Sequence, residues 1–143
     1  MKKDKQKEMV YEKRHYGTEL TSGEYKGYSY VILSFGSHPC CYVRLMESDI
    51  YANTENFSNI PVNCHGGITY KTENGLQGRP GTWIGWNYAR VGDYIFLDSI
   101  FTPRDEGKKW STSELIAECK SVCRQLYNLN HRKENEHATS YSA

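Results

Sequence analysis

Short stretches of alternating or continuous apolar character, separated by turn-like segments, recur along this chain, and the period lengthens to that of a helix only near the end. In "YKGYSYVILSF" (25–35) the alternation predicts a strand. Val31, Leu33 and Phe35 line one of its faces, and Tyr28, Tyr30 and Ile32 the other. "VYEKRHY" (10–16) reads as a partner strand, joined through the turn-like "GTELTSGE". After Gly36 and Pro39, "CCYVRLM" (40–46) predicts a further strand, with Cys40 and Cys41 on opposite faces. Residues 47–61, rich in Asn, Ser and Asp, predict an irregular excursion. "GITYKT" (67–72), "TWIGWNYARV" (82–91) and "DYIFLDS" (93–99) predict strands again. They are separated by the Gly-rich loop 73–81 and by Gly92, and a loop at 101–109 follows.

The helical period appears in "STSELIAECKSVCRQLYNL" (111–129), where Leu115, Cys119, Val122, Cys123 and Leu126 form one apolar stripe. Ser111 and Glu114 have capping-box spacing, in which each side chain satisfies a backbone N–H that the first helical turn leaves unpaired. Strands in a run closed by one helix predict an α+β domain of two layers. We expect an antiparallel sheet of about five to seven strands with the C-terminal helix packed on one face. The domain is expected to span 9–129, with 1–8 and 130–143 as polar, flexible tails.

Composition narrows the function classes. The 143 residues suit one domain, and a chain this long buries about 68% of its unfolded surface without needing disulfides or metal. Its 18 Lys and Arg nearly balance 17 Asp and Glu, so charge gives no push towards polymeric nucleic acid or an acidic membrane. No apolar run reaches the roughly 18 residues of a membrane span, and no signal-peptide core follows the N-terminal lysines, which predicts a cytoplasmic protein. Five cysteines, two of them adjacent, make a poor disulfide framework and read better as buried thiols. Twelve tyrosines are the unusual feature, suited to ligand pockets and to a homodimer or higher homo-oligomer contact.

Three constellations could carry chemistry. His38, Cys40, Cys41, Cys64 and His65 offer soft ligands, but without the spacing of a structural zinc site, so no metal or cofactor is expected. Cys64 and His65 could be a nucleophile and a base, although side chains of sequence neighbours tend to diverge. No catalytic residue is therefore assigned. The third lies around "TWIGWNYARVGDY". Trp83, Gly85, Asn87 and Ala89 share one strand face, and Ile84, Trp86, Tyr88 and Arg90 the other. The space above Gly85 and Ala89 could take a packed helix or a small molecule. Aromatic rings beside a guanidinium suit a nucleobase with its phosphate. The candidate ligand-binding residues are His65, Tyr70, Arg79, Trp83, Trp86, Asn87, Tyr88, Arg90 and Arg104.

The segments "HPCCYVRLMESDIYA", "VNCHGGITY", "TWIGWNYARVGD" and "STSELIAECKSVCRQL" together resemble a family of small proteins encoded by phages and prophages. That family carries Cys-Gly-Tyr-Val, His-Gly-Gly-Leu-Thr-Tyr and Trp-Trp-x-Gly-Phe-Asp-x-Ala-His-x-Gly-Asp segments and a closing helix with a Glu-Cys pair. The resemblance covers roughly 25–128 and is most specific at 65–70. Where the family has Asp and His, this chain has Asn87 and Arg90, while Gly92 and Asp93 are kept. An acid–base or metal role for 87 and 90 does not carry over. At class level the chain is also similar to phage proteins that sequester nucleotide immune signals. The resemblance implies a phage-encoded anti-defence protein in an infected bacterial cell, binding a small anionic nucleotide-type ligand without turning it over. A cyclic ADP-ribose derivative or a cyclic oligonucleotide is the ligand type implied. The alternatives are a small hydrolase of such nucleotides with His65 as base, and a protein–protein inhibitor of a host factor.

Overall fold

The structure, a computed structural model, describes residues 16–95 and 107–142. Strands β1 (Tyr16–Tyr25), β2 (Tyr28–Phe35), β3 (Pro39–Leu45), β4 (Tyr70–Thr72) and β5 (Thr82–Asn87) form one antiparallel sheet in the order β1-β2-β3-β5-β4. Helix α1 (Thr112–Ser142) packs against one face, the α+β arrangement the pattern predicts. Each predicted face appears in the two cores. Tyr28, Tyr30, Ile32, Cys41, Val43, Ile84 and Trp86 meet the helical stripe, whose five residues are all fully buried. Val31, Leu33, Cys40, Tyr42 and Trp83 line the opposite face beneath Leu76 of the 73–81 loop. Cys40 and Cys41 thus serve two different cores.

Several boundaries differ from the sequence reading. The "GTELTSGE" segment is β1 itself, and the reversal falls at Lys26–Gly27, whose φ angles of 55° and 84° suit the tight hairpin turn that matches strand twist. Register shifts around Gly17 and Leu20 fit the small and hydroxylated residues of β1 to β2. Most of the predicted 10–16 strand lies outside the described residues, as does 93–99 beyond Ile95. In place of strand 82–91, β5 ends at Asn87. The Asn87 carboxamide accepts from Ala89 N, and Asp93 N bonds to Arg90 O, so the chain turns there instead of continuing. In place of 67–72, β4 spans three residues, preceded by a Cys64–Gly67 turn. The helix continues to Ser142 rather than stopping at 129, through a sequence with no proline or glycine to break it.

The polar flank of α1 fixes the long excursion between β3 and β4. Asp49, buried, accepts from Tyr28 Oη at 2.7 Å, Met46 N at 2.7 Å and Asn130 Nδ2 at 2.6 Å. Gln125 accepts from Asn63 N and donates to Asn63 O, and Glu118 accepts from His65 N at 2.8 Å. The first helical turn carries the expected capping box, with Ser111 N bonded to Glu114 and Glu114 N to Ser111 Oγ. Lys108 and then Ser111 N hold the Glu114 carboxyl below its usual range. These contacts set the Cys64–Tyr70 segment against the end of β5.

Candidate functional site

Asp93 is the centre of the polar cluster at that end. Its carboxylate accepts from His65 Nε2 at 2.7 Å, Arg90 N at 2.9 Å and Trp110 Nε1 at 2.9 Å. The Asp93 side chain is 2% exposed and that of His65 25%. A carboxylate oxygen accepts, so His65 donates through Nε2, and Nδ1 is the ring nitrogen left for a partner. No hydrogen bond from the described residues reaches Nδ1. The imidazole stacks on Tyr88, with centroids 4.6 Å apart and planes at 5°, and meets Trp110 edge-on at 5.0 Å. These rings fix its orientation as firmly as Asp93 fixes its tautomer.

Arg90 completes the corner. Gly66 has φ +71°, and an added Cβ would sit 2.7 Å from Arg90 Nε, so the arginine stem lies across the glycine where no side chain would fit. Arg90 is exposed, and no carboxylate among the described residues pairs with its guanidinium. Cys64, next in sequence to His65, instead packs against the helix-side core. Burial, aided by the Glu118 carboxylate, pushes its thiol up to about 12, so it is no thiolate nucleophile at neutral pH.

A second concavity opens on the helix-free face at the other end of the same segment. This pocket of about 330 Å³ is lined by Phe35, His38, Tyr42, Tyr70 and Asn87, among others. Burial lowers the pKa of His38, with Asp93 pulling weakly the other way. The space expected above Gly85 is taken: an added Cβ would meet Tyr42 Cδ1 at 2.6 Å, so that ring fills it.

The candidate residues therefore separate into groups. His65, Tyr88 and Arg90 meet at the Asp93 corner, and Tyr70, Trp86 and Asn87 line the pocket. Arg79 and Trp83 border a third hollow of about 480 Å³ beside Arg44, where Arg79 is ion-paired with Glu19. Trp83, Trp86 and Tyr88 are at most 1% exposed, so their rings hold the fold together and offer no open face to a base in this conformation. Arg104 lies outside the described residues. Among those described, no three His, Cys, Asp or Glu side chains are placed to hold a metal ion. No helix among them is long and apolar enough to cross a membrane.

Sequence reasoning missed Asp93, Trp110 and Phe35. Asp93 carried one signal, as the acid of a Gly-Asp pair that the chain shares with the phage-encoded proteins it resembles. Trp110 carried none, because its contacts with His65, Tyr88 and Asp93 are distant in sequence, whereas Phe35 was legible only as a strand-face residue and not as the partner of His38. Compared with protein-family models, with curated proteins and with solved structures, the chain matches none.

Proposed function

We propose that the protein binds a small anionic nucleotide-type ligand, a cyclic ADP-ribose derivative or a cyclic oligonucleotide, and sequesters it without turning it over. The reading places it as a phage-encoded anti-defence protein in the cytoplasm of an infected bacterium, working as a homodimer or higher homo-oligomer. The observation that carries it is the exposed Arg90 guanidinium held over Gly66 beside an imidazole whose tautomer Asp93 fixes. Arginine pairs with phosphate oxygens, and the Nδ1 lone pair accepts from a ribose hydroxyl or a base N–H. The un-ionised Cys64 agrees with holding a ligand rather than attacking it. Calorimetry against cyclic dinucleotides and ADP-ribose derivatives tests this. A charge-assisted contact of about 1.5–3 kcal/mol predicts that Arg90→Ala weakens binding roughly ten- to a hundredfold. Absence of binding to every member of the panel refutes the proposal.

The hydrolase reading has one observation in its favour, the same His65–Asp93 pair, which is the form a general base takes when a buried carboxylate orients it. Chromatography of the ligand after incubation separates the two readings. Sequestration returns the ligand intact on denaturation, whereas hydrolysis gives a new product that His65→Ala abolishes.

A further inference from the structure

We infer that the pocket on the helix-free face is a subsite for a neutral planar heteroaromatic ring of nucleobase type. Its wall carries no Asp, Glu, Lys or Arg. Burial lowers the pKa of His38 and pushes the Cys40 thiol up to about 12, so both are uncharged at neutral pH. A wall without a counter-charge does not repay the water that an anion loses on entering, and this selects the uncharged part of a ligand. Its volume of about 330 Å³ lies at the small end of ligand sites, enough for a base with part of its sugar.

The lining supplies what such a ring needs. Tyr70 is 43% exposed, the one aromatic among the exposed large apolar side chains described, and it stands edge-on to Tyr42 with centroids 5.7 Å apart. Its open face at the pocket mouth is a stacking surface. Opposite, Phe35 and His38 are stacked at 5.9 Å, with Ser37 Oγ bonded to His38 Nδ1 at 2.8 Å. His38 Nε2 has no partner among the described residues. Asn87 gives one amide N–H to Thr69 Oγ1 at 3.3 Å and keeps the other, and Thr69 keeps its own O–H. Two or three polar atoms in an otherwise apolar cleft are what orient a base edge.

Cys64–Tyr70 runs from the Asp93 corner to this pocket, and Asn87 lies three residues before Arg90. A ligand with its ring beneath Tyr70 would therefore carry its phosphate towards Arg90 around the end of β5. The inference rests on the nucleotide reading for that remainder of the ligand, but not for the ring. The test is titration of ¹⁵N-labelled protein with adenosine and guanosine, which bear no phosphate. The expected result is a saturable shift of the Asn87 side-chain NH₂ signals and of the Thr69 and Tyr70 amides. Tyr70→Ala, at an exposed edge position, is expected to weaken binding about tenfold, and His38→Phe, which keeps the stack and removes Nε2, several-fold. If no nucleoside moves these signals, if shifts appear only around His65 and Arg90, or if Tyr70→Ala binds as the parent does, the subsite is refuted. If nucleosides bind here and phosphorylated analogues bind no more tightly, the subsite stands and the anionic-signal reading falls.

Discussion

Replacing Asp93 by Asn keeps the shape of the side chain and removes an acceptor it cannot spare. Oδ2 serves His65 Nε2 and Arg90 N, and Oδ1 serves Trp110 Nε1. An amide with its oxygen at the Oδ2 position turns NH₂ against the indole N–H of Trp110. Turned the other way, it keeps Trp110 but sets NH₂ against Arg90 N, while His65 must change tautomer to accept. Either arrangement strands one N–H in a site where the carboxylate is 2% exposed, at a cost of about 1–3 kcal/mol. The surviving bonds also lose their charge assistance, which brings the expected loss to about 3 kcal/mol. For a chain of this length that lowers Tm by roughly 6–12 °C. Urea unfolding followed by tryptophan fluorescence measures the loss, and long-range ¹H–¹⁵N spectra of His65 report the tautomer. A change below about 0.5 kcal/mol with the Nε2–H tautomer kept would refute the account of Asp93 as the acceptor that organises the corner.

Gly85→Ala places a Cβ 2.6 Å from Tyr42 Cδ1 and 3.1 Å from Cys41 O, and should cost about 1–3 kcal/mol in urea unfolding. An unchanged midpoint would mean that Tyr42 moves aside freely. Cys40, Cys64 and Cys123 are each pushed up to about 12, chiefly by burial. At pH 8 their thiolate fraction is about 10⁻⁴, against roughly 0.2 for an open thiol, so native alkylation by iodoacetamide should run about 10³-fold slower and accelerate in urea. Fast labelling of Cys64 in the folded protein would restore it as a nucleophile. His38 has its folded-state pKa lowered by burial, so the unfolded chain binds the proton more tightly. Its contribution to stability is present above the unfolded value near 6.5 and is lost as pH falls through that value towards the folded one. His38→Phe should flatten this part of the stability–pH curve, and an identical slope would contradict the burial argument.

The fold was legible where periodicity is a consequence of packing. Leu115, Cys119, Val122, Cys123 and Leu126 must share a helix face, and Tyr30, Val31, Ile32 and Leu33 must alternate, whatever the tertiary detail. Strand ends were less legible. Nothing in the apolar pattern of 82–91 shows that the Asn87 and Asp93 side chains will take the backbone N–H groups of Ala89 and Arg90 and turn the chain out of the sheet. The hairpin turn was placed too early for a related reason. Gly, Ser and Thr in β1 look like turn residues, yet here they fill a strand that must slip register twice against β2.

The site was legible as residue types and illegible as partnerships. Cys64-His65 draws attention because the two are adjacent, and the fold separates their tasks by giving one to the helix-side core and the other to Asp93. His65 is held at its backbone by Glu118, 53 residues away, and at its ring by Asp93, 28 residues away. No local pattern encodes either contact. The aromatic residues show the same limit from the other side. Indoles and phenols read as a stacking surface in sequence, but Trp83, Trp86 and Tyr88 are drawn into the cores because the sheet is apolar on both faces. The ligand proposed above would then be left with what the cores do not consume: the open ring of Tyr70, the spare amide hydrogen of Asn87, the Nδ1 of His65 and the guanidinium of Arg90. Two of them, His65 and Tyr70, belong to one short segment, Cys64–Tyr70, and the other two, Asn87 and Arg90, lie beside it at the end of β5. If the ligand proposed above binds, a substitution that removes the helix anchor of that segment, such as Glu118→Ala, should weaken ring and phosphate recognition together, while Tyr70→Ala and Arg90→Ala each weaken one.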